Sequence, residues 1–354
     1  PMYLGWIVLP PPGSYVFYYD NFSHSTGLLQ PVSTALGLAF LLALAGAAFA
    51  TRRRNPLFSL GVLWFLSAHA VTSSFLPLEL VFEHRNYFAI LGVILAGVGL
   101  WQSLPYAGNP KFNRLLSVVL ISGLVSLTFI RSSEWGNPLQ LAMQLAQNNP
   151  GSSRASTDLG EQYMILGGND ASSRYYAMAR DEFERGSALP NSSPMPEQGL
   201  VVLAAAAGQP AESRWWDSMI SKLERRAIGP QEMSMITGLL RLREQEGLEI
   251  DDDRLTDAYI VLVNRVSMPP TQYFSFGMHA LTRLGDTELA GQLFALTVDH
   301  ADGNQELIDE LVGHLVLQGY PEAASRMARY AAGLNSDASP GEKDMSGLPA
   351  PGPL

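Results

Sequence analysis

The chain has 354 residues, room for two ordinary domains, and a formal net charge of −10. It contains no cysteine, which excludes disulfides, thiolate metal sites and cysteine nucleophiles. Residues 1–130 hold six Lys/Arg and three Asp/Glu, leaving 17 of the 23 basic and 30 of the 33 acidic residues for 131–354. The first third is therefore membrane-like and the remainder an acidic, water-soluble part. Such a surface argues against nucleic-acid partners, whose phosphates need clustered Lys/Arg.

The chain opens at Pro1 with no cleavable signal-peptide pattern before the first apolar run, as expected of the C-terminal part of a longer protein. Residues 1–30 are rich in aromatics and turn formers, including Trp6, Pro10–Pro12, Tyr15, Phe17, Tyr18, Tyr19 and Phe22. Rings of this kind favour a membrane–water interface, which predicts an extracytoplasmic interfacial segment. A sharper reading gives Asp20 and His24 a place in a site.

Four apolar runs follow, predicted as transmembrane spans over about 31–50, 57–78, 87–106 and 115–130 within a membrane domain of 31–130. The first is long enough to cross ~30 Å of hydrocarbon. The last is the shortest and is expected to borrow a flanking turn. Arg52–Arg54 follow the first run, and Lys111 and Arg114 lie between the third and fourth. The positive-inside rule makes both loops cytoplasmic. The loop between the second and third runs and everything after Arg131 then face outward.

That outer loop reads LPLELVFEHRNYF over Leu76–Phe88 and carries Glu79, Glu83, His84 and Arg85 between two apolar runs. Ionisable groups at a membrane boundary are costly unless they are paired or face a polar cavity. Two readings stand. Arg85 offers a planar fork suited to phosphate, with His84 as donor or proton shuttle and Glu83 as orienter. Alternatively, Arg85 snorkels to lipid phosphates and pairs with Glu79 or Glu83, serving topology alone. His69, within the second run, reads more simply as a helix–helix hydrogen-bond partner than as a ligand.

From Arg131 the pattern is helical, with Gly, Pro and Asn punctuating runs of helix length. Leu159, Gly160, Tyr163, Ala179, Phe183 and Pro190 match the small and large positions of a tetratricopeptide (TPR) repeat, with an insertion at Gly167–Ser173. Leu281, Gly285 and Ala290 recur as Leu315, Gly319 and Ala324, offset by thirty-four residues, the period of stacked helix–turn–helix units. Residues 195–267, including RWWDSMISKLERR, read as helices in a degenerate register. The expectation is an all-α chain: about four spans, then an extracytoplasmic TPR-like α-solenoid over 131–334. Residues 335–354, rich in Pro, Gly and Ser, are predicted to be a disordered tail.

No metal site is predicted. Asp251–Asp253 lack the alternating spacing of a calcium loop and read as an acidic helix start. His279, His300 and His314 lack the i, i+4 pairing of a zinc protease. There is no Gly-rich phosphate loop and no Gly-x-Ser-x-Gly elbow.

Arg52–Phe65 (RRRNPLFSLGVLWF), then Leu76–Tyr87 (LPLELVFEHRNY), then repeat-like helices, together resemble the C-terminal half of bacterial relatives of the transmembrane-and-TPR O-mannosyltransferases, of the GT-C glycosyltransferase class. The resemblance implies transfer of a sugar from a polyprenyl-phosphate donor to a protein or glycan acceptor on the periplasmic face of the inner membrane. The TPR domain would bind the acceptor, and no cofactor beyond that donor substrate is implied. An acidic residue in the first outer loop would act as base and basic groups would hold the leaving phosphate. Glu83, His84 and Arg85, and more loosely Asn86 and Tyr87, carry over as the lipid-phosphate site; the catalytic acid is expected upstream of this chain. The competing reading is a non-enzymatic, membrane-anchored TPR scaffold for envelope or pilus assembly. An ion-coupled transporter is weaker, because His69 is the sole ionisable residue within the spans.

Overall fold

A computed structural model of the protein describes residues 1–8, 16–21, 25–72 and 86–335. Across them the chain is all-helical, with sixteen α-helices and no β-strand. Contacts divide it into two units, Pro1–Gln162 and Tyr163–Leu354. The predicted tail, apart from Asn335, lies outside the described residues.

Unit 1 holds α1 (Met2–Val8), α2 (Val32–Thr51), α3 (Pro56–Thr72), α4 (Asn86–Gln102), α5 (Pro110–Trp135), α6 (Pro138–Asn148) and the start of α7 (Ser153–Gly167). Of the four predicted runs, α2 and α5 form helices long and apolar enough to cross a membrane. The shorter α3 and α4 have 17 residues each, or about 26 Å at about 1.5 Å per residue. The last run gains length at both ends. Pro110 occupies the first helical position, the Asn109 side chain caps the N–H groups of Lys111 and Phe112, and the helix continues past Arg131. No residue of α5 is buried, and α2 buries only Ala48. So much uncovered apolar surface exceeds what soluble proteins usually expose, which makes α2 and α5 candidate membrane spans.

The α3–α4 contact in unit 1 is made by glycine. A Cβ at Gly61 would run into the backbone of Ala96 and Gly92, one at Gly92 into that of Gly61 and Phe65, and one at Gly99 into that of Phe58. Small residues let two helix backbones approach to direct contact. Polar groups secure the ends. Asn55 Nδ2 donates to the Gly99 carbonyl at 2.8 Å and to Ser103 Oγ at 2.9 Å, and Ser59 Oγ donates to the Ala48 carbonyl at 2.7 Å. The first of these joins the start of α3 to the end of α4. The α2–α3 turn with Arg52–Arg54 and the α4–α5 turn before Lys111 therefore lie at the same end of the helix pair.

Unit 2 continues with α8 (Arg174–Ser187), α9 (Met195–Ala206), α10 (Ser213–Arg225), α11 (Pro230–Gln245), α12 (Asp252–Arg265), α13 (Pro270–His279, extended by a π turn over Ala280–Leu284), α14 (Thr287–Asp299), α15 (Gln305–Leu317) and α16 (Pro321–Asn335). Helices pack on their successors and on the next but one: α9 on α10 and α11, α11 on α12 and α13, α10 on α12, α14 on α16. One continuous hydrophobic cluster runs from Val201 to Ala331. The thirty-four-residue recurrence has structural counterparts. Leu281 and Leu315 are buried, Ala290 and Ala324 are buried, and Gly285 and Gly319 turn the chain with φ of 67° and 86°. Gly168, Gly208 and Gly247 adopt the same left-handed backbone after α7, α9 and α11.

Charge is also taken inside unit 2. Glu197 on α9 is fully buried, and its Oε1 accepts from Ser187 Oγ at 2.5 Å, Ser218 Oγ at 2.6 Å and Lys222 Nζ at 2.5 Å. Burial pulls the Lys222 ammonium below its ordinary value, an effect that Glu197 opposes. The network ties α8, α9 and α10 together.

In detergent-solubilised protein, Gly61→Val should lower the thermal unfolding midpoint, a destabilisation of about 1–3 kcal/mol for overpacking. Gly97→Val, whose Cβ meets nothing within 4 Å, should leave the midpoint unchanged. Equal midpoints for the two variants would refute the glycine contact.

Candidate functional site

A large cleft lies in unit 2. It has a volume of about 1170 Å³ and is walled by α11, α13 and α15. Such a volume exceeds that of most small-ligand pockets. Each wall is one face of a helix at three- and four-residue spacing. Thr237, Leu240, Arg241 and Glu244 come from α11; Phe274, Ser275, Met278 and Arg283 from α13; Glu310, His314 and Leu317 from α15. The opposite faces of these helices enter the core through Ile236, Leu239, Phe276, Ile308 and Leu315.

The cleft is polar at its edges and apolar in its floor. Arg283 braces α13 to α11, with Nε 3.1 Å from Glu244 Oε1 and Nη2 3.2 Å from Oε2. Phe274 is buried beneath the surface, with the His314 ring set edge-on at 5.8 Å. Leu317 stands 86% exposed at the rim.

Behind the cleft a second polar group joins three helices. Arg243 on α11 grips Asp252 at the start of α12, Nε to Oδ1 at 2.8 Å and Nη2 to Oδ2 at 2.9 Å. Asp252 Oδ1 also lies 3.1 Å from Nε2 of His279 on α13, a ring 1% exposed that lines the cleft. Hydrogen bonding from Arg243, and secondarily from His279, holds the Asp252 carboxyl below its ordinary value, against the opposing effect of burial. Neighbouring Tyr259, stacked on Phe276 at 4.6 Å, has its hydroxyl pushed up to about 12 by burial. Asp251 caps α12 by accepting from the Arg254 N–H at 3.0 Å. The acidic run thus includes a helix cap, as its sequence suggests, and an ion pair that local sequence does not announce. Among the described residues no group of three or more His, Asp or Glu is arranged to hold a metal.

The outer-loop residues stand apart from this cleft. Glu79, Glu83, His84 and Arg85 lie outside the described residues, as does His24. Asn86 opens α4, is buried, and leaves its Oδ1 without a hydrogen-bond partner among the described residues. Tyr87 is 84% exposed. His69, on α3, stacks parallel to Tyr3 of α1 at 5.0 Å and meets Phe65 edge-on at 4.7 Å.

Asp20 has a structural partner in unit 1. Its Oδ2 accepts from Ser153 Oγ at 3.2 Å and from the Arg154 N–H at 3.3 Å, at the N-terminus of α7. Around it, Tyr18 donates its hydroxyl to Asp158 at 2.6 Å, and the amides of Asn21 and Asn149 exchange hydrogen bonds at 2.8 and 3.0 Å. Burial and the Asp158 carboxylate raise the Tyr18 hydroxyl above the ordinary phenol range, and burial raises Asp158. Residues 16–21 are thereby strapped to the α6–α7 corner.

Comparison with protein-family models, curated proteins and solved structures returned no match for this chain.

The Asp252 carboxylate contributes stability that is present above its unfolded value, ordinarily 3.8, and is lost as pH falls through the lower folded value. Asp252→Asn should therefore lower the neutral-pH unfolding midpoint and flatten its decline between about pH 4 and pH 2. A parallel acid profile for variant and parent would exclude this pairing.

Proposed function

We propose that this protein is a membrane-anchored, partner-binding protein in which TPR-like helical repeats hold a polypeptide in the α11–α13–α15 cleft. The observation that carries this reading is the division of labour on those three helices. One face of each builds a shared core, and the other face lines a cleft larger than a small-molecule pocket. The near-regular return of left-handed glycines after α7, α9, α11, α13 and α15, with packing on successor and next-but-one helices, supports the repeat reading.

The anchor is read as four spans, α2 to α5, with both basic turns cytoplasmic and the acidic repeats on the outer, periplasmic face of a bacterial inner membrane. The apolar exposure of α2 and α5 supports a bilayer environment, and the common end of the two basic turns on the α3–α4 pair supports that orientation. Partners are then membrane lipid and a protein bound by the repeats.

A photo-crosslinking residue at Leu317, in the cleft, should trap a discrete polypeptide in cells. The same residue at Arg329, on α16 and absent from the cleft wall, should not. Identical crosslinking from both positions would remove the cleft from the interaction.

A second reading adds chemistry to the same frame. Sugar transfer from a polyprenyl-phosphate donor to the bound polypeptide is the activity implied by the resemblance of Arg52–Phe65 and Leu76–Tyr87 to GT-C enzymes. Asn86, which follows Glu83-His84-Arg85 in sequence, is buried with its Oδ1 unmatched among the described residues, which favours a polar partner at this boundary. Arg85 would bind the donor phosphate, His84 would donate to it and Glu83 would orient both. In the full-length protein at matched expression, Arg85→Ala should abolish glycosylation of the acceptor in a surface-glycan assay; unchanged glycans would sink the phosphate role.

A further inference from the structure

We infer that the cleft selects a dipolar polypeptide segment, with an acidic side chain at the α11 edge, an apolar one over α13 and a basic one at the α15 edge. This rests on the reading of the cleft as a polypeptide site and adds the chemistry of its ligand. The observation is an uneven distribution of charge across the three walls. Glu244 and Arg283 neutralise each other between α11 and α13. Arg241, exposed on α11, has no ion-pair partner among the described residues, and neither does Glu310, exposed on α15. Asp309 beside Glu310 accepts from the uncharged Gln305 amide at 2.7 Å and has no ion-pair partner among the described residues.

One edge of the cleft is therefore positive and the other carries two uncompensated carboxylates. Between them lie Phe274 and Met278 of α13, with Leu317 at the rim. A ligand of uniform charge would satisfy one edge and be repelled at the other, whereas a dipolar one gains at both. Its length follows from helix geometry. Crossing from α11 to α15 takes two interhelical steps of about 8–10 Å, covered by about six extended residues at about 3.3 Å each. The apolar side chain falls midway, over α13. An extended segment also leaves its backbone N–H groups free to donate to the hydroxyl oxygens of Thr237 and Ser275, whose own protons go to the Met233 and Thr271 carbonyls.

The test uses the full chain in detergent and fluorescein-labelled peptides with blocked termini, read by anisotropy. The parent peptide is Glu-Ser-Ser-Leu-Phe-Ser-Lys; its companions carry Lys at both ends or Glu at both ends. The protein should bind the parent at least about fivefold more tightly than either companion, with affinity falling as salt rises. Arg241→Glu should transfer the preference to the double-Lys peptide. Asp309→Lys combined with Glu310→Lys should transfer it to the double-Glu peptide, a swap that a merely misfolded variant cannot produce. Leu317→Glu should weaken all three peptides. If Leu317→Glu weakens binding but the peptides bind alike and the charge swaps change nothing, the cleft takes polypeptide and the dipolar inference is overturned. If no peptide binds, the polypeptide reading itself fails and the inference with it. Self-association that Leu317→Glu abolishes, without peptide binding, would assign the cleft to a second copy and overturn both.

Discussion

Antiparallel helices joined by a few residues need a backbone that reverses within one turn, and a left-handed residue is the cheapest way to do it. L-residues with a Cβ resist that conformation, so glycine carries it after α7, α9, α11, α13 and α15. At Gly285 and Gly319 the reversal delivers the chain into α14 and α16 with Leu281, Leu315, Ala290 and Ala324 all buried in the core. Everything else in unit 2 depends on this repeated reversal. It puts every second helix on one side of the stack, and those helices, α11, α13 and α15, wall the cleft.

Polar side chains then set the relation between helices that apolar packing leaves adjustable. Arg243, Asp252 and the ring of His279 join α11, α12 and α13 directly behind the cleft, and Glu197 with Lys222 does the same for α8 to α10. Buried ion pairs of this kind add little net stability over apolar replacements, because desolvation offsets attraction. Their directional geometry disfavours sliding of one helix along another. In unit 1 the same problem is solved without charge: Gly61, Gly92 and Gly99 bring α3 and α4 to backbone contact, and Asn55 ties their ends.

Much of this was legible in the chain itself. The apolar runs marked α2 to α5, although the last helix begins at Pro110 rather than near 115, and the thirty-four-residue echo marked the final two helix pairs. The register of 195–267 looked degenerate because the turns are of unequal length. Gly208 and Gly247 keep the same backbone role as Gly285, yet the spacing between successive turn glycines drifts from forty to thirty-four residues. A search for the glycine after every second helix, with proline opening α11, α13 and α16, would have found the frame that a fixed period missed. Residues 2–8, within the segment read as interfacial, form the short helix α1.

The cleft was the part that sequence reading missed. Thr237, Arg241 and Glu244, or Ser275, Met278 and Thr282, recur at helical spacing like any solvated face, and nothing local distinguishes a face turned to water from one turned to a neighbouring helix across a gap. Nor could the chain say that Asp252 belongs to Arg243 and His279 rather than to its own acidic run. Helix type, the apolar character of unit 1 and the turn positions follow from short-range chemistry: side-chain hydropathy, the fixed φ of proline and the missing Cβ of glycine. Which polar faces converge, and which charges meet, follows from packing between helices distant in sequence, and the tertiary structure decided those.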